Sequence, residues 1–462
     1  MIALTLEQIA EIVGGKTFGD SSKVITAAPV FDSREARDGS LFLGLVGENS
    51  DGHDFAQDAQ SRGAAGCMTT KEVVGNGVVV PDVLFAVRSL ASYVRKQLPG
   101  LIVVAITGSS GKTTTKDLLA GILSTRAQCI WTKASFNNEL GAPITLLECD
   151  AQTKYCILEM GARHQGDIAA LCEMAKPNVG VVLRVGTAHL GEFGSIEKIA
   201  QTKSELIQAL SPDAIAVLGT YDPYTKAMSS LHSGRVIYFG QDAHNDVRAA
   251  DIEMREARPH FDLVTPAGRD AVGMRLTGAH QISNALAAAA VCTALDIPIE
   301  VIASGLSTAD LASKWRMQIS EIEELLIIND SYNANPESMN AALDSLVLFA
   351  QESGGSSWAF LGQMHELGSQ SNDLHASVAT HAHELGIDHL VSIGTRAFAD
   401  GISAQSATTL HYCQDIAQAL KLVSHFEPGD VVLVKASRSE HFEILAQGIE
   451  DSWTEKRRED KS

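Results

Sequence analysis

The sequence predicts an α/β protein of three domains, and three observations lead to this prediction. The chain has 462 residues, about three times the length of a typical domain. From about residue 87 onward, short apolar runs alternate with helical patterns, which is typical of mostly parallel sheets. The residues before that point instead mix short strands with turns rich in Gly and Asp.

We place the domain boundaries where the composition changes. Residues 1–86 are predicted to form a small α/β domain, residues 87–313 a central domain with a mostly parallel sheet, and residues 314–462 a Rossmann-like C-terminal domain. The strand candidates of the central domain are "LIVVAIT", "KYCILEM", "NVGVVLRV" and "AIAVLG". Those of the C-terminal domain are "LLIIND", "SWAFLG", "HLVSIG" and "DVVLVKAS".

Composition and charge limit the possible partners. The chain carries 36 Lys and Arg against 56 Asp and Glu, a formal net charge of −20, which argues against a nucleic-acid or anionic-membrane surface. The longest apolar run, residues 285–295, is too short to span a bilayer, and the N-terminus lacks the pattern of a signal peptide. Seven scattered cysteines are typical of buried thiols in a reducing compartment. We expect a cytoplasmic protein without stable membrane insertion, and a monomer.

A glycine-rich loop carries the clearest chemical signal. The stretch "AITGSSGKTTTK", residues 105–116, follows an apolar run and resembles a phosphate-binding loop, but Ile106 stands where the usual pattern has its first glycine. Gly108 and Gly111 would let backbone N–H groups approach phosphate oxygens at the start of a helix. Lys112 would reach the terminal phosphates, and the Thr113 hydroxyl would hold Mg²⁺.

Three further side chains are candidates for a metal site near this loop. Glu159 ends the strand "YCILEM", where a Mg²⁺ ligand or the partner of a bound water belongs, although a single carboxylate there is more often a solvated loop residue. His189 follows another strand, and a lone histidine is more often structural. Lys203 lies on a helical pattern and cannot bind Mg²⁺ as an ammonium, but carboxylation of its amine by CO₂ would make it an anionic oxygen donor. The alternative for Lys203 is a surface lysine.

Three more residues are candidates for nucleotide contacts. The amide of Asn284, at the start of the helical stretch "HQISNALAAAA", could contact an adenine edge or simply cap the helix. Arg316 follows the second proposed boundary. Asp330 ends the strand before "SYNANP", where it could bind ribose hydroxyls or form part of an ordinary turn.

Taken together, these stretches resemble the Mur ligase family, ATP-dependent enzymes that form amide bonds during peptidoglycan precursor synthesis. The shortened loop "TGSSGKT" is similar to the version of that family, which folylpolyglutamate synthases share. The stretches that resemble the family members adding D-alanyl-D-alanine are "SFNNELGAPITLL", "EMGARHQGDI", "AHLGEFGS", "NDSYNANP" and "LGQMHELG". The resemblance extends from "DSR" at residues 32–34 to "VLVKASRS" at residues 432–439.

The resemblance implies a role for each candidate residue. It assigns nucleotide binding to Gly108, Ser109, Ser110, Gly111, Lys112, Thr113, Thr114, Asn284, Arg316 and Asp330. It assigns Mg²⁺, with two ions expected, to Thr113, Glu159, His189 and Lys203, the last of these carbamylated. It assigns the UDP part of the substrate to Ser33 and Arg34, and further substrate contacts in the central domain to Asn137 and Asn138. The implied catalytic residues are Lys112, Glu159, His189 and Lys203.

The implied reaction joins D-alanyl-D-alanine to UDP-N-acetylmuramoyl-tripeptide in two steps. The terminal carboxylate of the tripeptide first takes the γ-phosphate of ATP, and the amine of the dipeptide then displaces phosphate from the acyl phosphate. Because two anions meet in the first step, the main task of the enzyme is electrostatic. Since the nucleotide contacts lie on two domains, we expect closure on ligand binding. Such an enzyme serves cell-wall synthesis and hence cell shape and division.

Three positions depart from the family pattern, and three alternatives stay open. Arg184 stands where an asparagine is expected, Ala436 where a glycine is usual, and Gln363 where an aspartate is common. The nearest alternative is another Mur ligase or a folylpolyglutamate synthase, although the "DSR" and "GENSDGHDF" region argues against the folate enzyme. A kinase or nucleotide-dependent switch is the alternative from another class. A catalytically silent relative is the third.

Overall fold

The computed structural model describes residues 1–47, 50–133, 136–310, 314–403 and 406–460. Their strands form one two-stranded pair and three larger sheets, one in each of the three successive parts of the chain. Helices cover the larger sheets, so the predicted α/β class with parallel-rich sheets is confirmed.

The first part of the chain builds a small mixed sheet. Its strands are β1 Leu4–Thr5, β2 Lys16–Phe18, β3 Val24–Ile25, β4 Leu41–Leu43, β5 Gly66–Thr69 and β6 Gly77–Val79. Its helices are α1 Leu6–Val13, α2 Ala56–Ser61 and α3 Val83–Gln97. The main sheet has the order β2-β6-β5-β4, in which β4, β5 and β6 are parallel and β2 is antiparallel, while β1 pairs with β3. Thr5 begins α1 with a capping box, which satisfies two backbone donors at the start of this helix.

The central part of the chain builds a nine-stranded sheet. Its strands are β7 Ile102–Thr107, β8 Cys129–Trp131, β9 Tyr155–Glu159, β10 Val179–Val182, β11 Ile215–Gly219, β12 Arg235–Gly240, β13 Val247–Arg255, β14 Arg258–Thr265 and β15 Gly268–Gly273. Its helices are α4 Lys112–Ser124, α5 Gly141–Leu147, α6 Asp167–Ala175, α7 Leu190–Phe193, α8 Ile196–Gln208, α9 Pro223–Ala227, α10 Gln281–Ala294 and α11 Ile299–Thr308.

The order of the central sheet explains where a ligand can bind. The order is β15-β14-β13-β12-β11-β10-β7-β9-β8, with parallel pairing from β13 to β8 and antiparallel pairing at the β14 and β15 edge. Strand β7 lies between β10 and β9, so the chain order changes direction beside it. Loops at the carboxyl ends of such neighbouring strands separate and leave a crevice, which is the usual ligand site of open α/β sheets.

The last part of the chain builds a six-stranded sheet with the order β16-β17-β21-β18-β19-β20, parallel except at β16. Its strands are β16 Gln318–Ile322, β17 Leu325–Asn329, β18 Ser357–Leu361, β19 His389–Ile393, β20 Thr409–Cys413 and β21 Val431–Lys435. Its helices are α12 Pro336–Ser353, α13 Ser371–Glu384, α14 Ile416–Leu420 and α15 Phe442–Asp460. Short 3₁₀ helices cover Ser33–Glu35, Gly52–Phe55, Met228–Leu231, Gly368–Gln370, Ala399–Gly401, Lys421–His425 and Arg438–Glu440.

The predicted domain boundaries relate to these sheets as follows. Residue 86 falls inside α3, which packs on α1 of the first part and on α5 and α6 of the central part. Residue 313 lies outside the described residues. The division at residues 86 and 313 therefore stays a prediction. Among the described residues, no helix combines the length and the apolar character that crossing a bilayer requires.

Candidate active site

The glycine-rich loop lies between β7 and α4 at the carboxyl edge of the central sheet. Gly108 and Gly111 have φ angles of 155° and 82°, which side chains rarely allow. A Cβ atom on Gly108 would come within 2.9 Å of the Leu183 side chain, and one on Gly111 would collide with the Asn284 amide oxygen. Both positions therefore require glycine, and α4 begins directly after them at Lys112.

Ser109 ties this loop to the neighbouring strand end. Its backbone N–H donates to the Arg184 carbonyl at 3.0 Å, and its hydroxyl oxygen accepts from the Gly186 N–H at 2.8 Å. The Ser109 N–H is therefore not available to a phosphate, and only the N–H groups of the loop residues after Ser109 can bind one. The loop is thus held in place by the backbone that follows β10.

Lys112 lies at the start of α4 with its ammonium folded back over the loop. The ammonium donates to the Gly108 carbonyl at 2.7 Å. Burial lowers the pKa of Lys112, and the charge of Arg316 acts in the same direction, while the Glu159 carboxylate opposes them. The positive end of the helix dipole adds to the charge at this point.

Glu159 is the centre of a buried hydrogen-bonded cluster at the end of β9. Its side chain is almost completely buried, and its two oxygens accept from the Thr113 hydroxyl at 2.9 Å and from the Asn137 amide at 2.8 Å. Arg316 of the C-terminal part donates to the same Thr113 hydroxyl at 3.0 Å. The Asn138 side chain instead accepts the Gly141 N–H at 3.0 Å, at the first residue of α5.

His189 is engaged with the C-terminal part of the chain. It adopts a left-handed φ of 63°, and its Nδ1 lies 2.5 Å from a carboxylate oxygen of Glu366. The imidazole of His189 beside it lowers the pKa of Glu366. The carbonyl of Glu366 accepts the Gly191 N–H at 2.7 Å, and a Cβ atom on Gly368 would meet the Gly191 Cα at 2.8 Å. The two backbones therefore touch at this contact.

Thr187 forms a second link between the same two parts. Its N–H and its hydroxyl both donate to the Glu337 carboxylate, at 2.8 and 2.9 Å. Glu337 lies in the first turn of α12, which Asn335 caps by accepting the Ser338 N–H at 2.9 Å. The loop that carries His189 is thus attached to the C-terminal part at two points.

Lys203 lies on α8 facing the cavity, with only 6% of its surface exposed. Burial lowers the pKa of Lys203 to about 7, and the charge of Lys112 contributes in the same direction. An amine with this pKa is largely neutral slightly above neutral pH, which is the form that reacts as a nucleophile.

Asn284 lies against the loop rather than at a distance from it. Its amide nitrogen donates to the Gln281 side chain at 2.9 Å, and Gln281 in turn lies 3.0 Å from Nε2 of His280. Burial lowers the pKa of His280. The start of α10 thus presents a chain of polar groups to the cavity beside Gly111.

Asp330 forms a buried ion pair with Lys435 at the carboxyl ends of β17 and β21. Its other oxygen accepts the Met317 N–H at 3.1 Å, and Lys435 also donates to the Asn333 carbonyl at 2.9 Å. The guanidinium of the neighbouring Arg316 lies 4.0 Å from the centre of the Tyr332 ring. These contacts hold the segment that carries Arg316 over the phosphate-binding loop.

A cavity of about 1100 Å³ brings most of the predicted residues together between the central and C-terminal sheets. The predicted residues that line it are Ser109, Ser110, Gly111, Lys112, Thr113, Thr114, Asn137, Asn138, Glu159, His189, Lys203, Asn284, Arg316 and Asp330. Ser33 and Arg34 lie elsewhere, beside the first sheet, where Arg34 pairs with Asp32 and is 80% exposed. Sequence reasoning missed Lys435, Glu337 and Glu366, whose partners are far away along the chain.

The metal prediction has a partial structural basis. The described residues contain no group of three or more His, Cys, Asp or Glu side chains arranged to hold an ion. The Thr113 hydroxyl and the Glu159 carboxylate, 2.9 Å apart, are the hard oxygen donors that Mg²⁺ prefers, so this pair fits the ion. The metal roles of Thr113, Glu159, His189 and Lys203 stay predictions.

The fold and the site first define a class of protein. A phosphate-binding loop on a parallel sheet, faced by a second parallel sheet that supplies Arg316, is typical of enzymes that transfer phosphoryl groups. Within that class, the Mur ligase middle domain matches residues 106–292, and the Mur ligase glutamate ligase domain matches residues 315–438. The chain belongs to the Mur ligase family, and the predicted resemblance is confirmed.

Individual relatives match over almost the full length of the chain. The UDP-N-acetylmuramoyl-tripeptide--D-alanyl-D-alanine ligase of Mycobacterium bovis is 40% identical, covering 97% of this chain and 98% of the relative. A crystal structure of MurF from Acinetobacter baumannii has a TM-score of 0.88 at 33% identity and covers 97% of this chain and 99% of its own. The MurF ligase from Thermotoga maritima in complex with ADP has a TM-score of 0.81 at 29% identity, covering 94% and 99%.

Proposed function

We propose that this chain is the ATP-dependent ligase that joins D-alanyl-D-alanine to the terminal carboxylate of UDP-N-acetylmuramoyl-tripeptide in peptidoglycan precursor synthesis. The observation that carries the proposal is the cluster of Lys112, Thr113 and Glu159 at the loop, which Arg316 reaches from the C-terminal part. The relative from Mycobacterium bovis bears the name of this activity, and the Thermotoga maritima relative binds ADP.

The charge of the cavity fits two anionic substrates. Although the whole chain has a net charge of −20, the cavity has more basic than acidic side chains. The basic ones are Arg88, Lys112, Arg163, Arg184, Lys203, Arg316, Lys435 and Arg438. The acidic ones are Glu139, Glu159, Asp167, Asp330, Glu337 and Glu366. With Lys203 carbamylated the two numbers become equal, so the cavity is still far less acidic than the chain as a whole, and cations such as Lys112 and Arg316 can attract phosphates and carboxylates.

In the first step, an oxygen of the tripeptide carboxylate forms a bond to the γ-phosphorus of ATP, and the bond to the ADP oxygen breaks. Lys112 and the N-terminus of α4 stabilise the negative charge that the two anions bring together. Arg316 adds a second cation from the other side of the cavity. Mg²⁺, when held by Thr113 and Glu159, supplies further charge neutralisation at the phosphates.

In the second step, the dipeptide amine attacks the acyl carbon, and phosphate leaves with the electron pair of the broken C–O bond. A base must take the proton that the amine loses. Nδ1 of His189 lies 2.5 Å from the Glu366 carboxylate, so Nε2 is the ring nitrogen turned away from this contact and available to a proton or a metal ion. The same Glu366 contact orients the imidazole in the cavity.

Lys203 is the proposed site of carbamylation. Its pKa of about 7 leaves a large neutral fraction at neutral pH, and the amine lone pair can then form a bond to the carbon of CO₂ with loss of one proton. The product replaces a buried cation with an anionic oxygen donor, which suits a site for hard cations.

The remaining assignments complete the proposal. Ser33 and Arg34, in the 3₁₀ helix Ser33–Glu35 of the first part, bind the UDP part of the substrate outside the cavity that holds the reacting groups. Asn137 and Asn138 bind the substrate from the central part, and Asn284 and Asp330 bind the nucleoside of ATP. We place the reaction in the cytoplasm and expect the enzyme to act as a monomer.

A matrix of acids and amines tests this function. UDP-muramoyl dipeptide, tripeptides ending in diaminopimelate or lysine, and dihydrofolate are each combined with D-alanyl-D-alanine, glutamate or diaminopimelate. We expect ADP release and a product mass only where a tripeptide meets D-alanyl-D-alanine. ADP release with glutamate as the acceptor, or release that needs no acceptor, would overturn the proposal in favour of a different ligase or a nucleotide-dependent switch.

A further inference from the structure

Arg184 lies in the wall of the cavity directly beside the phosphate-binding loop. Its carbonyl accepts the Ser109 N–H at 3.0 Å, and the preceding Leu183 donates its N–H to the Thr107 carbonyl at 3.0 Å. The backbone at Arg184 is therefore held between the end of β7 and the loop. None of the nucleotide or metal roles above uses its side chain.

The side chain of Arg184 has an unused donor. Its Nε is buried and lacks a hydrogen-bond partner within the described ranges, and the same is true of the hydroxyl of Tyr221, which follows β11. Arg184 and Tyr221 follow the adjacent parallel strands β10 and β11, and both line the cavity. Burial raises the pKa of Tyr221, and the charge of Arg184 opposes this rise. The Tyr221 ring packs edge-on against Phe239, with 6.1 Å between the ring centres.

The chemistry of these groups fits one part of a nucleotide. A guanidinium has only donors, in a planar fork that matches phosphate oxygens, and a phenol can donate to the same group. Lys112 interacts with Glu159 and Arg316, on the side of the loop where the terminal phosphate is transferred. Arg184 instead follows β10, which lies on the other side of β7 from β9 and its terminal Glu159, and Tyr221 follows the next strand, β11.

We propose that Arg184 binds the α-phosphate of the nucleotide, with the Tyr221 hydroxyl as a second donor to the same phosphate. This inference rests on the proposed ATP-dependent function. It assigns a nucleotide contact to a position where the family resemblance predicts an asparagine, a side chain without charge. The additional cation increases the affinity for the nucleotide through a charge-assisted hydrogen bond to the α-phosphate, which is not the phosphate that is transferred.

Calorimetric titration of R184Q with ADP and with a non-hydrolysable ATP analogue tests the proposal. We expect both nucleotides to bind about ten- to hundredfold more weakly, by the same factor, because both contain the α-phosphate. Binding of the UDP-muramoyl tripeptide should not change. The R184K variant, which keeps the charge without the planar fork, should bind ADP with an affinity between those of the wild type and R184Q.

The control variant is R126Q, since Arg126 is exposed after the end of α4 and does not line the cavity. Wild-type affinity for ADP in R184Q would overturn the proposal, and so would an equal loss of ADP and UDP-substrate binding. If R184Q does not fold, full ADP affinity of R184K has the same consequence. Failure of the wild type itself to bind ADP would instead refute the proposed function.

Discussion

The two sides of the cavity use their buried lysines in different ways. On the C-terminal side, Lys435 forms an ion pair with Asp330 and donates to the Asn333 carbonyl, so its charge is balanced within the protein. On the loop side, Lys112 bonds to the carbonyl of Gly108, and burial lowers its pKa and that of Lys203. Burial thus disfavours the charge of the loop-side lysines as long as no anion is bound, while the C-terminal side uses its charges to position Arg316.

The largest expected effect is on the loop side. K112A should lower the rate of ADP formation by about a thousandfold or more, because the cation that stabilises the transferred phosphate is lost. Its unfolding free energy should stay the same or rise slightly, since burial disfavours this charge. The rate is measured by coupled ADP release with all three substrates. K226A, at an exposed position on α9, is the control, and wild-type turnover by K112A would remove the basis of the mechanism.

The opposite pattern is expected on the C-terminal side. K435M should lower the free energy of unfolding by about 3–5 kcal/mol, because it leaves the largely buried Asp330 carboxylate without a cation, with the Met317 N–H still bound to its other oxygen. Denaturant titration followed by circular dichroism measures this loss. The double variant D330N/K435M should recover a large part of it, since no unpaired charge remains. Equal destabilisation by K112A and K435M would erase the difference between the two sides.

Lys203 should show its lowered pKa in a pH titration. Because the folded-state pKa of about 7 lies below that of an ordinary lysine near 10.4, the unfolded state binds the extra proton between these values. The unfolding free energy relative to K203M should therefore rise with pH from about 7 to about 10 and be constant below that window, as judged by denaturant midpoints.

The activity of K203M should fall by about a hundredfold if the carbamate holds a metal ion. Addition of bicarbonate should raise wild-type activity below pH 7, and a short carboxylic acid should restore part of the activity of K203A. A ¹³C NMR signal of a carbamate in wild type but not in K203M measures the modification itself. Full activity of K203M in bicarbonate-free buffer would contradict the proposed carbamylation.

The smallest expected effect concerns the link between the two sides. N335A removes the cap of α12 and should cost about 1 kcal/mol of unfolding free energy. Because Glu337 in the same turn holds Thr187, the variant should also raise the KM for ATP by a few fold. D415A, which removes the cap of α14 far from the cavity, should cost similar stability without changing this KM. Equal KM values in the two variants would refute a role of this link.

Sequence alone predicts the parts of the site that are local in the chain. The residues of the loop from Gly108 to Thr113 stand in a single stretch of the chain, and the position of Glu159 beside them is predictable because it ends a neighbouring strand. The pairings of His189 with Glu366 and of Asp330 with Lys435 are not predictable in this way, because each depends on how distant strands are arranged.

Within the loop, one predicted donor is engaged differently. The Ser109 N–H is used by the Arg184 carbonyl rather than left open, whereas Arg34 lies outside the cavity, in the first part of the chain where its UDP role is predicted. The motif does not predict this hydrogen bond, because the types of its residues do not determine which distant groups they bond to in the fold. The motif predicts which chemistry is present, and the fold decides which donors remain free for it.

The contact between Gly191 and Gly368 has a mechanical consequence. Because neither residue has a side chain, the two backbones are in direct contact, and a methyl group added to either residue would clash with the other backbone and push the two segments apart. An alanine at Gly191 or Gly368 would therefore widen the cleft between the central and C-terminal parts without contacting the reacting groups. We expect a lower turnover rate from this separation alone, and a still lower rate with a larger side chain.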